Sequence, residues 1–251
     1  MRSSSLSLKT SSGLPWRRIL GLCAVLITML CVAGWHIAKS RSYQFFGDIV
    51  PRVEMTEPFV VLSFDDGPTP NFTDEILAIL AQHGVKASFF VTGESLQRFP
   101  ELGKKIVDAG HELGNHSFSH RRMWFMDYDE VQREVEATQK LILKAGQEEP
   151  IYFRPPYGKK WINLPLYLSL NGITTAMWDV EPESDKAIAK DAEGIAQHVL
   201  EQVKPGSIVL LHVMYKSRRA SMQAVPMIIE SLSAKGYQFV TLGDLIAHSS
   251  S

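Results

Sequence analysis

Two adjacent carboxylates, Asp65 and Asp66, end an apolar run and are the residues of this sequence that most clearly indicate chemistry. The run at 59–62 reads Phe-Val-Val-Leu, as a buried strand does, and Gly-Pro follows the two acids. Two like charges side by side resist joint ionisation unless a positive charge compensates one of them. The pair therefore predicts a nearby cation, either a metal ion or an arginine.

A second group with suitable chemistry is the stretch 116–120, which reads His-Ser-Phe-Ser-His. Histidines four residues apart face the same side of a helical turn, and two imidazoles with one carboxylate form a common ligand set for catalytic zinc. Taken alone, this spacing is equally typical of two ordinary loop histidines. Together with a carboxylate at a strand end, it predicts a metal site that includes His116 and His120.

Three further stretches bring polar groups to the ends of apolar runs. At 154–158 (Arg-Pro-Pro-Tyr-Gly) the prolines either form a simple rigid loop or hold a following N–H ready as a donor, and Arg154 is placed to neutralise an aspartate that binds no metal. His212 follows a buried strand and is either a packed core histidine or an acid. A carboxylate in the stretch 178–183 (Trp-Asp-Val-Glu-Pro-Glu) would hold that imidazole protonated.

These residues follow predicted strands that alternate with predicted helices. The strands are expected at 59–64, 86–91, 111–114, 151–153, 173–178, 207–211 and 238–240. Helical periodicity is expected at 71–83 and 128–144, and near 101–109, 163–170, 188–203 and 222–234. About seven strands in this alternation predict an α/β fold with a parallel sheet, and the pattern alone leaves open whether the sheet closes. Polar groups at several strand ends favour a barrel, whose carboxyl-end face gathers such groups into one site.

The amino-terminal region differs in kind from the rest. Residues 1–18 contain four basic and no acidic side chains, and 19–38 are apolar and, at about 20 residues, just long enough to span a bilayer. The basic flank predicts a cytoplasmic N-terminus, with 19–38 as a transmembrane signal-anchor in the inner or plasma membrane and the remainder extracytoplasmic. Secretion after cleavage of a signal peptide is the alternative. Beyond the anchor, the expected parts are a tether at 39–57, one catalytic domain at 58–245 and a tail at 246–251.

Composition excludes some partners and crosslinks. The formal net charge of the 251 residues is -1, and no basic stripe interleaved with aromatic residues indicates nucleic-acid binding. Both cysteines, Cys23 and Cys31, lie in the apolar segment, so we expect no disulfide in the domain that follows.

In order and spacing, these stretches resemble the motifs of the polysaccharide deacetylases of carbohydrate esterase family 4. The matching stretches are Ser-Phe-Asp-Asp-Gly-Pro at 63–68, His-Ser-Phe-Ser-His at 116–120, Arg-Pro-Pro-Tyr-Gly at 154–158 and Leu-Leu-His at 210–212. The resemblance covers about 58–245 and implies a distorted (β/α) barrel with a divalent metal, usually zinc and sometimes cobalt or nickel. The implied reaction removes N-acetyl groups from a GlcNAc-containing glycan, whether chitin-like, peptidoglycan or exopolysaccharide.

The resemblance also implies a role for each matching residue. The metal ligands would be Asp66, His116 and His120. Asp65 would be the general base for the metal-activated water, and Arg154 would orient it. The Tyr157 N–H would stabilise the oxyanion, and His212 would protonate the leaving amine. Contacts to the substrate would come from Leu210, Trp178 and Pro156.

One stretch departs from the family pattern. The segment 181–185 reads Glu-Pro-Glu-Ser-Asp where the family usually has Asp, two spacers and Asp-Trp. Glu181, with Asp179 as the alternative, is therefore predicted to tune His212, and Trp178 or Trp161 to form the aromatic wall. Two other functions stay open from the sequence. One is an O-acetyl esterase acting on a xylan-like polymer, and the other is a non-catalytic, metal-containing glycan-binding domain.

Overall fold

The computed structural model describes residues 16–249, which divide after Ile37 into two compact units. The first contains most of helix α1 (Trp16–Ala38). Within the described residues, the part of α1 from Arg18 to Ala38 is long and apolar enough to cross a membrane, and its position near the N-terminus also fits a signal sequence. Most of the predicted cytoplasmic segment 1–18 and the end of the tail lie outside the described residues.

The second unit is built on short parallel strands, six of which overlap predicted ones, whereas the predicted strand at 151–153 is reduced to single bridges through Phe153. They are β1 (Ile49–Val50), β2 (Phe59–Asp65), β3 (Ser88–Val91), β4 (Glu112–Asn115), β5 (Thr175–Ala176), β6 (Ser207–His212) and β7 (Gln238–Phe239). The order β4-β3-β2-β6 forms one path, β7 also pairs with β2, and β1 pairs with β5. Single parallel bridges through Phe153 join β4 to β5, and Val180 bridges to β6. The strands thus close into the predicted distorted (β/α) barrel.

Helices cover the outside of this barrel. They are α2 (Phe72–His83), α3 (Gly93–Arg98), α4 (Pro100–Asp108), α5 (Tyr128–Lys144), α6 (Asn163–Leu170), α7 (Ala192–Gln202), α8 (Arg219–Ala234) and α9 (Leu242–Ser249). Side chains alternate along β2, so Val60, Leu62 and Phe64 pack toward the helices whereas Val61 belongs to a separate inner cluster. The inner face of the barrel therefore also receives the polar side chains at the strand ends.

The predicted tether is part of the folded domain. Ile49 and Val50 pair with β5, and Val53 donates its N–H to the Gly206 carbonyl at 3.0 Å. At the other end, α9 continues through most of the predicted tail to Ser249. The two-residue strand β1 escapes sequence analysis because it is too short to show an alternating pattern.

Candidate active site

Asp65 and Asp66, at the carboxyl end of β2, point their carboxylates to different neighbours. By alternation along the strand, Asp65 shares the inner face with Val61 and Ser63. Asp66 follows with a left-handed backbone (φ 68°), which aspartate adopts more readily than most residues. Its carboxylate oxygen Oδ1 lies 3.2 Å from Nε2 of His120. The change of backbone conformation thus gives the two acids different neighbours.

Asp66, His116 and His120 form a cluster suited to a metal ion. One ligand atom of each lies within 4.8 Å of the others. Oδ1 of Asp66 is buried without a hydrogen-bond partner in the described chain. Nδ1 of His116 is 2.7 Å from the Arg154 carbonyl oxygen, which can only accept, so Nδ1 donates and Nε2 of the neutral ring keeps its lone pair. A carboxylate oxygen without a partner beside two imidazole nitrogens fits a divalent cation.

The two histidines lie on a loop, and the predicted helical turn is wrong. Left-handed φ values at Ser117 and His120 (64° and 55°) interrupt a helical path. The Ser117 N–H donates to Asn115 Oδ1 at 3.0 Å, and the His120 N–H donates to Ser117 Oγ at 3.1 Å. These bonds fix the loop to the end of β4, so both imidazoles are positioned before any ion arrives.

Glu134 on α5 fastens the same loop, a role that sequence analysis missed. Its carboxylate accepts hydrogen bonds from the N–H groups of Phe118 (2.9 Å) and Ser119 (2.8 Å) and from the Ser119 hydroxyl (2.6 Å). Glu134 is buried beside Val135 in a helix whose inner stripe is otherwise apolar or neutral. That position is the signal that marks it, because a buried carboxylate needs hydrogen-bond donors.

Arg154 meets Asp65 inside the barrel, as predicted. Nη1 lies 2.6 Å from Asp65 Oδ1 and also donates to Ser63 Oγ at 2.9 Å, while Nη2 donates to the Met177 carbonyl at 3.0 Å. The guanidinium carbon is 3.8 Å from the centre of the Phe90 ring. Burial is the largest single influence and opposes ionisation of Asp65, but the charge and hydrogen bond of Arg154 together with the neighbouring histidines outweigh it and lower the pKa of Asp65 below its usual value. Asp65 is thus a carboxylate kept ionised.

Glu183 is the carboxylate that pairs with His212. His212 Nδ1 is hydrogen-bonded to Glu183 Oε2, and the His212 N–H donates to Oε1 at 3.0 Å. The hydroxyl of Ser221 also donates to Glu183. Burial disfavours the imidazolium, yet the hydrogen bond and charge of Glu183, together with the charges of Asp65 and Asp66, raise the pKa of His212 to about 9. His212 is therefore held protonated at neutral pH.

The predicted partners of His212, Glu181 and Asp179, are wrong. Asp179 accepts from the Ser207 hydroxyl (2.7 Å) and the Ile208 N–H (2.8 Å). Ser207 begins β6 and His212 ends it, about 16 Å apart along an extended strand. Glu181 accepts from Ser184 Oγ at 2.5 Å and pairs with an arginine. A short 3-10 turn at 182–184 instead turns Glu183 inward, where it is buried.

A cleft of about 520 Å³ joins these groups. Besides the charged residues, its lining includes Leu210, Trp178, Tyr157 and Tyr215. Tyr157 has a left-handed backbone (φ 59°). Its N–H donates no hydrogen bond within the described residues. Gly158 must stay small, because a Cβ there would lie 2.9 Å from Trp178 Cη2.

Two predicted substrate-contacting residues do not line this cleft. Pro156 is buried and begins the 3-10 turn Pro156–Gly158. The Trp161 ring packs edge-on against Phe45, with ring centres 5.5 Å apart. Of the two tryptophans predicted for the aromatic wall, Trp178 is the one that lines the cleft.

Comparison with known proteins agrees with this arrangement. A polysaccharide deacetylase family model matches residues 52–176. The chain is 35% identical over 184 residues to a peptidoglycan-N-acetylglucosamine deacetylase of Bacillus cereus, covering 73% of this chain and 66% of the relative. It is 35% identical over 199 residues to the peptidoglycan-N-acetylmuramic acid deacetylase PdaC of Bacillus subtilis, covering 78% of this chain and 41% of that protein.

A solved structure extends the similarity to the whole barrel. The crystal structure of a peptidoglycan N-acetylglucosamine deacetylase superposes with a TM-score of 0.73 at 33% identity, covering 77% of this chain and 90% of that one. The fold is a barrel of parallel strands that carries a possible metal-binding cluster of one aspartate and two histidines. The chain belongs to the polysaccharide deacetylase family, and the family predicted from the motifs is confirmed.

Proposed function

We propose that this protein hydrolyses the N-acetyl groups of a GlcNAc-containing polysaccharide or oligosaccharide with the help of a divalent metal. The observation that carries the proposal is that an ionised carboxylate and a protonated imidazole face the same cleft. Arg154 keeps Asp65 ionised next to the three-ligand cluster, whereas Glu183 keeps His212 protonated. The relatives named as peptidoglycan deacetylases support the same reaction.

Asp66, His116 and His120 would hold the metal, with zinc the first choice and cobalt or nickel the alternatives. Bound there, such an ion supplies a Lewis acid that polarises the amide carbonyl and acidifies water. Hydrogen bonds within the histidine loop and to Glu134 keep His116 and His120 in place, so these ligands need little reorganisation when a metal binds.

The chain's own residues supply the proton transfers. Asp65 accepts a proton from the attacking water as the water oxygen bonds to the acetyl carbon. The Tyr157 N–H donates to the carbonyl oxygen as negative charge develops on it. His212 gives its proton to the nitrogen as the carbon–nitrogen bond breaks, releasing acetate and an amine. Leu210 and Trp178 bound the space for the acetyl group and sugar.

The protonated His212, held by Glu183, favours an amide over an ester substrate. An amine leaves poorly unless its nitrogen is protonated, whereas an alcohol leaves more readily. The pairing of His212 with Glu183 would therefore matter more for N-deacetylation than for O-deacetylation of a xylan-like polymer. Equal rates on both substrate types would remove this preference.

We also propose that α1 anchors the protein in a membrane with the catalytic domain on the extracytoplasmic side. The length and apolar composition of Arg18–Ala38 support an anchor. The intact mass of protein purified from membranes tests this, because signal cleavage would remove α1. A mass lacking the first 30 or so residues would contradict the anchor.

The reaction is tested with the full chain in detergent, loaded with zinc or cobalt. N-acetylglucosamine oligomers, peptidoglycan and acetylated xylan are compared by acetate release, with a chelator-treated sample as reference. We expect N-acetyl hydrolysis that the chelator abolishes and that Asp65→Asn reduces without loss of metal. No acetate from any N-acetylated glycan, with metal bound, would refute the proposal.

A further inference from the structure

Arg41 reaches the cleft from the segment that precedes the family-matched residues 52–176. Its guanidinium lies 4.9 Å from the centre of the Trp178 ring, and Nη2 is 3.5 Å from Glu181 Oε2. Trp178 and Glu181 both line the cleft. A residue outside the matched region thus contributes positive charge at the edge of the site.

The backbone beside Arg41 is held firmly by the domain. The Lys160 N–H donates to the Ala38 carbonyl at 2.9 Å, and the buried Lys160 ammonium donates to the Ser40 carbonyl. The Tyr43 N–H donates to Ser40 Oγ at 3.1 Å. Since bonds lie on both sides of Arg41, its side chain starts from a defined position. Ordering it on binding a ligand therefore costs little.

Three arginines, Arg41, Arg122 and Arg218, lie at the edge of the cleft. Arg218 lines the cleft 3.7 Å from Glu183, which already accepts hydrogen bonds from His212 and Ser221. Arg122 stacks over the Tyr157 ring at 4.6 Å. Arg41 has one long contact to Glu181, and its side chain is 42% exposed. Donors of the planar guanidinium are thus left for an anion.

We propose that Arg41 is a specificity-determining residue that binds a carboxylate carried by the glycan beside the N-acetylated sugar. The inference rests on the proposed function and narrows its substrate class to acidic glycans. A carboxylate matches the fork of a guanidinium, whereas neutral sugar hydroxyls gain less from its charge. Stacking on Trp178 holds the guanidinium plane at the cleft and favours such a contact.

The test compares two forms of one glycan on the full chain. One probe is a strand of alternating N-acetylglucosamine and N-acetylmuramic acid with free lactyl carboxylates, and the other is the same strand with those carboxyls amidated. Arg41→Gln should raise KM for the free strand about 5- to 20-fold, with kcat little changed, and for the amidated strand less than about two-fold. Arg41→Lys should restore part of the loss. Arg133→Gln, on the outer helix α5, is the charge-matched control.

A second variant reverses the sign of the effect. Glu181→Gln removes the acid that competes for Arg41, so it should lower KM for the free strand and leave the amidated strand unchanged. An equal change in KM on both strands, or no change on either with Arg41→Gln, would overturn the inference. A merely structural role for Arg41 would produce the equal change.

Binding of both strands to the Asp65→Asn background gives the same comparison without turnover. Weaker binding of the free strand alone after Arg41→Gln supports the inference, and equal binding refutes it. Absence of acetate release from the wild type would refute the proposed function instead. The two failures are therefore distinguishable.

Discussion

Replacing Glu183 by glutamine removes the negative charge that faces His212 and turns one of the two acceptor oxygens into an NH2 donor, while keeping the size of the side chain. In the wild type that carboxylate contacts both the ring nitrogen and the backbone N–H of His212. The pKa of His212 is about 9, against an ordinary value of 6.5. In the variant, burial still disfavours the imidazolium and only the charges of Asp65 and Asp66 still favour it, so the pKa should fall to about its ordinary value of 6.5.

The rate loss depends on pH with a defined sign. If His212 acts as the acid, activity follows its protonated fraction and declines as pH rises through its pKa. At pH 8 that fraction is about 0.9 for a pKa of about 9 and about 0.03 for 6.5, a loss of about 30-fold. At pH 6 the two proteins should differ by less than about two-fold.

The assay is the pH profile of kcat for acetate release from N-acetylglucosamine oligomers between pH 5 and 10. Glu181→Gln is the matched control, since Glu181 lines the same cleft but contacts neither His212 nitrogen. The fall of kcat at alkaline pH should shift to lower pH in Glu183→Gln and should stay at the wild-type pH in Glu181→Gln. The assignment of Glu183 would be refuted if the fall of kcat stayed at the same pH in Glu183→Gln, or if it shifted in Glu181→Gln.

Three further variants test other parts of the site. His120→Ala should lose the metal, measured as metal content after dialysis, and an equally loaded variant would exclude His120 as a ligand. Glu134→Ala should weaken metal binding about 10- to 100-fold, with every ligand still present, in a chelator competition; unchanged affinity would contradict its role in the loop. Arg154→Met should lower the free energy of unfolding by about 3–5 kcal/mol in denaturant titrations, because it leaves Asp65 buried and unpaired. Adding Asp65→Asn to that variant should recover part of the loss, and no recovery would argue against the ion pair.

Much of the site was predictable because it lies at strand ends that local patterns reveal. The apolar runs that end at Asp65 and at His212 form strands, and alternation of side chains along them places both residues on the inner face. A cation beside the two adjacent acids followed from charge alone, and the family resemblance assigned Arg154 to Asp65. The helical turn expected for His116 and His120 failed because hydrogen bonds from outside the stretch override its spacing.

Contacts between distant segments escaped prediction for a common reason. Glu183 lies 29 positions before His212, and Arg41 lies 140 positions before Glu181. No periodicity links such residues, and three acids within 179–183 are indistinguishable by spacing. Only the 3-10 turn at 182–184 selects the one that faces inward.

The sequence by itself determined the chemical inventory of this protein: two adjacent acids, two histidines four apart, a strand-end histidine and an arginine before two prolines. It also determined the α/β alternation, because apolar periodicity is a local property of the chain. Tertiary structure alone decided which glutamate holds His212 protonated, which acid fastens the histidine loop, and that Arg41 reaches the cleft. Those choices depend on barrel closure, which brings together residues far apart in the chain and buries charges that must then find partners.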